Sequence, residues 1–205
     1  PFFMLAPMEG VTDTVFRQIV ASVAKPDVMV TEFVNVEGLS SGGRQSIAQS
    51  LWFDVSERPL IAQLWGIRPE NFAGAARAVQ GMGFDGIDLN MGCPQKDVVK
   101  TGACAGLIRT PPQAERIIRA VRDAVPGMPL SVKTRIGYDR IETDSWIAFL
   151  LSQPIDALIV HGRTVKEMSG VPAHWDEIAK AVRLRDSINK AIIIVGNGDV
   201  TDRKD

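Results

Sequence analysis

The sequence reads as an α/β protein of the (βα)8 barrel type. Seven short apolar runs alternate with longer segments of helical period. The runs are apolar throughout, as strands covered by helices on both faces are. Their starts lie about 26 to 44 residues apart, a spacing that suits repeated βα units.

In chain order, strands are expected over residues 2–8, 28–34, 60–66, 86–92, 130–137, 157–163 and 191–198. Helices are expected over 14–24, 69–81, 113–125, 144–152 and 175–188. The connection through 38–52 is less regular and reads as a loop with a short helix. The first strand runs into Met8-Glu9-Gly10-Val11-Thr12-Asp13, without the G-x-G-x-x-G that announces a doubly wound nucleotide-binding sheet. Seven strands in one series therefore favour a barrel over an open sheet. A closed barrel takes eight strands and typically about 250 residues. Here the seventh helix is only beginning at Asp205, so the expectation is a TIM barrel truncated before its eighth strand. Its open sheet edges are expected to make this chain poorly soluble on its own.

The 205 residues suffice for one well-buried domain. Hydrophobic residues make up 45% and charged residues 23%, with a mean hydropathy of +0.05. Those values exclude a disordered or membrane chain, and no apolar run approaches the ~18–20 residues of a bilayer span. The apolar opening, residues 1–7, has no basic region before it and makes a poor signal peptide. A net charge of −1 and a pI of 6.2 give no global case for nucleic-acid binding, so any such contact must rest on a local patch. Cys93 and Cys104 lack the paired spacing of a zinc site, and no acidic or His/Cys set suggests a metal. Without another secreted feature, a reducing cytoplasm is expected.

Barrels of this class carry their chemistry at the C-terminal ends of the strands. Those ends are polar here: Met8 and Glu9, Gln63, Asn90 with Cys93, Lys133 with Arg135, His161 with Arg163, and Asn197-Gly198-Asp199. One Gln, Asn, Cys, Lys and His on one rim suits a flat, hydrogen-bonding cofactor. A free Cys is usually a small hydrophobe. Cys93, however, lies between Gly92 and Pro94, in a turn and not in a core run. The segment 95–103 is polar enough to move over the site. An ordinary thiol, with a pKa of about 8.5, is protonated near neutrality and can serve as a general acid. Cys104, among Ala103, Ala105 and Gly106, reads as small packing. Lys96, Lys100, Arg109, Arg135, Arg140, Arg163 and Lys166 fall on the expected rim loops. Asp97, Asp139, Glu142, Asp144 and Glu167 dilute them, so a phosphate-binding patch and a solvated mixed rim both stand.

Five segments in order resemble the motif series of flavin-dependent tRNA-dihydrouridine synthases. They are Ala6-Pro7-Met8-Glu9-Gly10-Val11-Thr12-Asp13, Asp88-Leu89-Asn90-Met91-Gly92-Cys93-Pro94, Val132-Lys133-Thr134-Arg135-Ile136-Gly137, His161-Gly162-Arg163-Thr164 and Gly196-Asn197-Gly198-Asp199. The resemblance implies that residues 1–205 form an incomplete catalytic flavin-binding barrel domain, with the family's C-terminal helical RNA-binding domain outside the sequence. It implies FMN-dependent reduction of the C5=C6 bond of specific uridines in tRNA, with hydride passing from flavin N5 to C6. NADPH or NADH is the implied reductant, and the full-length protein is expected to be a cytoplasmic monomer.

Residue by residue, the resemblance makes Cys93 the acid that protonates C5. Pro7, Met8, Gln63, Lys133 and His161 match flavin contacts, with Lys133 near N1 and O2 to offset charge on the reduced ring. Asn197, Gly198 and Asp199 match the start of a phosphate-binding segment. Asn90 and Arg135 fall to the substrate, and Arg163 to either flavin phosphate or RNA phosphate. The uridine must leave its stack to be reduced. Two rivals remain: a flavin-barrel dehydrogenase acting on a free pyrimidine, and a barrel remnant that only binds RNA.

Overall fold

The computed structural model describes residues 2–40 and 50–201. Among the described residues, seven parallel strands follow one another in sequence order through the sheet, alternating with helices as the barrel reading expects. The middle of the 38–52 connection lies outside the described residues. The chain divides into two compact units, Pro1–Leu89 with Arg119–Leu130, and Asn90–Ile118 with Ser131–Asp205. Among the described residues, no helix is long and apolar enough to cross a membrane.

The first unit holds β1 (Met4–Leu5), α1 (Thr14–Ala24), β2 (Val28–Asn35), α2 (Val36–Ser40), β3 (Leu60–Trp65), α3 (Pro69–Gly81) and most of β4 (Gly86–Met91). Asp13 starts α1 by accepting the Phe16 N–H at 2.8 Å, and Pro69 opens α3, where its missing N–H costs nothing. Phe72, Ala75, Ala76 and Val79 recur at helical spacing on α3 and are buried. The strands supply Met29, Leu60, Leu64, Ile87 and Leu89 to the core.

β1 spans two residues, against the seven expected. Pro7 has no N–H for a ladder, and the Met8 carbonyl already accepts from Val11 and Thr12 in a turn. A buried ion pair anchors this segment. Arg17 Nε meets Glu57 at 2.5 Å, while its Nη1 and Nη2 donate to the Thr12 and Trp52 carbonyls at 2.6 and 2.9 Å. On α1, Val15, Ile19 and Val23 stand exposed on successive turns.

The second unit holds the end of β4, α4 (Lys96–Lys100), a 3-10 segment (Cys104–Arg109), most of β5 (Leu130–Arg135), α6 (Ala148–Leu151), β6 (Ala157–His161), α7 (Trp175–Ile188) and β7 (Ile193–Asn197). α5 (Pro111–Ala124) is divided, its residues up to Ile118 belonging to the second unit and those from Arg119 to the first. The expected polar loop 95–103 instead folds as α4 and a turn that leads into a buried 3-10 segment. The expected helix 144–152 begins as a π turn, Thr143–Ile147. That turn brings Trp146 and Ile147 both inside, with the indole N–H donating to Thr134 Oγ1 at 2.9 Å. β2 runs one residue past its expected limit, to Asn35, and the other six strands end one to three residues before theirs.

Candidate active site

The second unit gathers most of the expected site residues. β5, β6 and β7 are in register so that Arg135, His161 and Asn197 lie in one row at their C-terminal ends. Lys133, two residues back on β5, points its ammonium at Asn197 Oδ1, 3.2 Å away. A lysine, a histidine and an amide thus come together at one sheet end, from positions up to 64 residues apart.

Cys93 sits in the turn after β4, half-buried. Asn90 shapes that turn: its Oδ1 accepts the Gly92 and Cys93 N–H groups at 3.1 and 2.9 Å. Gly92 is required for closeness, since a Cβ there would come within 3.3 Å of the Lys133 carbonyl and of Thr134 Cα. Arg135 braces the same turn, its Nε donating to the Gly92 carbonyl at 2.9 Å. Its Nη1 donates to the Thr164 and Met168 carbonyls at 3.1 and 3.2 Å.

Cys104 has a neighbour that the sequence did not reveal. The Ala105 N–H donates to the Cys93 carbonyl at 3.3 Å, folding the 3-10 segment back onto the turn. The two thiols are then in hydrogen-bond contact. The Cys93 sulfur beside it, together with burial, holds the Cys104 thiol protonated, far above the usual range. Cys104 is fully buried, as a small packing residue is, and takes a left-handed backbone, φ +50.

Arg163 is 7% exposed, with its donors turned to protein acceptors. Its Nη2 holds both oxygens of Asp199, at 2.6 and 2.5 Å, and Nε donates to the Val171 carbonyl at 2.5 Å. The same guanidinium keeps the Asp199 carboxyl below its ordinary range. His161 is pulled down to about 3, first by burial and then by the positive charges of Arg135, Lys133 and Arg163. It is therefore a neutral imidazole at physiological pH.

The expected basic rim thins accordingly. Arg109 is bound to Asp139 at 2.6 Å and lies over the Tyr138 ring, while Arg135 and Arg163 are buried. Lys96, Lys100, Arg140 and Lys166 stay exposed, although Lys100 lies 3.6 Å from Asp97. In the first unit, Pro7 is half-buried and Met8 is exposed. Gln63 is fully buried there and donates its amide to Asp88 at 2.6 Å.

A flavin presents ring carbonyls and a phosphate, and so calls for donors, cations and close backbone. The second unit supplies Lys133, a neutral His161 and the positive-φ Gly198, whose Cβ would press on Ala173 at 2.9 Å and on His161 at 3.1 Å. This donor set fits the group.

The family model described as dihydrouridine synthase (Dus) matches residues 4–205. The chain belongs to that family. A probable tRNA-dihydrouridine synthase of Staphylococcus aureus (strain COL) is 47% identical over 206 residues, covering 100% of this chain and 62% of the relative. A probable tRNA-dihydrouridine synthase 2 of Bacillus subtilis (strain 168) is 43% identical over 206 residues, with 100% and 63% covered. The chain thus spans less than two thirds of these relatives. Among solved structures, morphinone reductase in complex with tetrahydroNAD aligns with a TM-score of 0.57 at 10% identity, covering 96% of this chain and 76% of that one. A variant of NCR from Zymomonas mobilis aligns at 0.54 with 16% identity, covering 98% and 74%. These two likenesses show the fold, in agreement with an α/β barrel series.

Proposed function

We propose that the full-length protein is a tRNA-dihydrouridine synthase that reduces the C5=C6 bond of uridines in tRNA. FMN, renewed by NADPH or NADH, supplies the hydride for C6 when bound. Cys93 gives the proton to C5. The observation that carries this reading is the turn at Cys93. A half-buried thiol is fixed by Asn90 and Arg135 on the unit that also carries Lys133, His161 and Asn197.

Lys133 lies against the flavin ring and offsets charge on it, and Asn197 holds that ammonium in place. Gly198 offers its backbone to the phosphate, and Asn90 faces the uracil. Pro7, Met8 and Gln63 contact the flavin, an assignment supported by family membership. Arg135 spends its Nε and Nη1 on three carbonyls, which leaves its Nη2 donors for the uracil. The reading includes a cytoplasmic location and a monomer at full length.

Replacing Cys93 by Ala in the full-length enzyme is expected to lower dihydrouridine formation in unmodified tRNA by about 10²–10⁴-fold, the usual worth of a positioned acid. Flavin content should stay the same. Formation at the parental rate would remove Cys93 from the reaction. Turnover of free uracil or dihydroorotate, with none on tRNA, would instead favour a free-pyrimidine dehydrogenase.

A further inference from the structure

His161 ends β6 with Arg135 beside it on one side and Asn197 on the other. Arg163 Nη1 lies 3.2 Å from its Nε2. A guanidinium has five N–H groups and no acceptor. The contact is a hydrogen bond only if Nε2 carries a lone pair. A proton on Nε2 would set two donors against each other.

The same ring edge is closed by Gly198, where a Cβ would lie 3.1 Å from Cδ2 and 3.3 Å from Nε2. Nδ1 is on the other edge. Among the described residues it has no hydrogen-bond partner.

Arg163 cannot turn away. Asp199 grips Nη2 with both oxygens, and the Val171 carbonyl accepts from Nε. With those two sides engaged, the planar fork leaves Nη1 facing the histidine. Asp199 is itself held by the Ala173 N–H at 2.8 Å, in a left-handed conformation of φ +53.

We infer that Asp199 and Arg163 are positioning residues that lock His161 in the tautomer with its proton on Nδ1, directing its one donor at an acceptor atom of the bound heterocycle. The identity of that heterocycle as flavin or uracil rests on the function proposed above; the lock itself does not. Asp199 therefore serves through its carboxylate on Arg163, and only backbone near it remains for a phosphate. Arg163 serves inside the protein and not on RNA. The charged groups around the ring are Lys133, Arg135 and Arg163, opposed by Asp199. Together with burial they keep the imidazole neutral, so the tautomer persists through the neutral range.

Imidazole ¹H–¹⁵N NMR of the full-length protein tests this, with His161 assigned by difference from His161→Gln. The expected spectrum has a protonated Nδ1 and a bare Nε2, unchanged from about pH 5 to about pH 8, where an ordinary histidine titrates. In Asp199→Asn both tautomers should appear. Its kcat for dihydrouridine should fall by at least about tenfold with KM little changed, part of the ~10²–10³-fold that a directed donor contributes. Asp199→Glu should restore the single tautomer. A proton on Nε2 in the parent protein, or an ordinary titration there, overturns the inference. So does an Asp199→Asn protein that keeps the parental spectrum. Should that variant not fold, the parental spectrum alone decides. A parent with the expected spectrum but no activity on tRNA would sink the proposed function and leave the lock standing.

Discussion

The turns after β4 and β7 both carry polar residues of the site, yet they rest on different foundations. β4 is buried over all six of its residues, whereas Ile193 at the start of β7 is exposed and the other four residues of β7 are half-buried. The Cys93 turn is held by close backbone packing at Gly92 and by hydrogen bonds from neutral or permanently charged groups. Thr134 Oγ1 adds a bond to the Met91 carbonyl at 3.0 Å. The turn at Asn197–Asp199 has less packing beneath it and is held by Lys133 and by the Arg163–Asp199 pair. Under the proposed function, the proton donor sits on close-packed backbone. Groups that meet a ligand's polar atoms sit where charge, and not packing, sets the position.

The contrast is open to direct attack, most strongly through the two strands. Leu89→Ala in β4 removes a fully buried side chain and is expected to cost about 2–5 kcal/mol. Ile193→Ala in β7 truncates a residue 49% exposed and should cost less than about 1 kcal/mol. Urea titrations of the full-length protein measure both, and equal losses would abolish the distinction. Gly92→Ala comes next, at about 1–3 kcal/mol. Its new Cβ meets backbone of β5 that can give only by shifting the strand. Activity should fall further than stability implies, because the displaced turn carries Cys93.

The response to pH separates the two turns more gently. His161 has a value of about 3 in the folded protein against 6.5 in the unfolded chain, so the unfolded state takes up its proton first. Stability should therefore fall as pH drops from about 6.5 through about 3, and His161→Gln should remove that slope. Asp199, held low by Arg163, adds stability above its unfolded value of 3.8 that fades only as pH falls through its lower folded value. Neither Asn90 nor Arg135 changes charge in these windows, so the Cys93 turn should be indifferent. Unfolding curves at stepped pH check the slope, and a flat profile would contradict it. The smallest effect is that of salt. Asp199 is 45% exposed in its pair, so screening should loosen the β7 turn only slightly. Amide exchange at Ala173, which donates to Asp199, reports it.

Much of this architecture was legible because its signals are local. Asp13 and Pro69 mark the starts of α1 and α3 within a few residues of sequence. The strand ends announced themselves by Gln63, Asn90, Lys133, His161 and Asn197 following apolar runs. What stayed hidden depends on distant partners. Arg135 finds the Gly92 carbonyl 43 residues away, and Arg163 finds Asp199 across 36. From sequence, both arginines looked like surface cations facing phosphate, and only the fold shows their donors turned inward. The Cys93–Cys104 contact was hidden for a related reason, since it requires a short helix and a turn where the composition suggests a polar loop. The two-residue β1 was misjudged because apolar residues extend past the point where Pro7 ends the ladder.

The line of Val15, Ile19 and Val23 on α1 has a consequence at the bench. While that line meets water, it gives folded molecules an apolar point of contact with one another. A single charge there, as in Val23→Glu, is expected to make the second virial coefficient more positive while the melting temperature and the chemistry stay where they were. Light scattering and thermal melts on the same sample would show the two moving independently, so turbidity in a preparation need not signal a damaged fold.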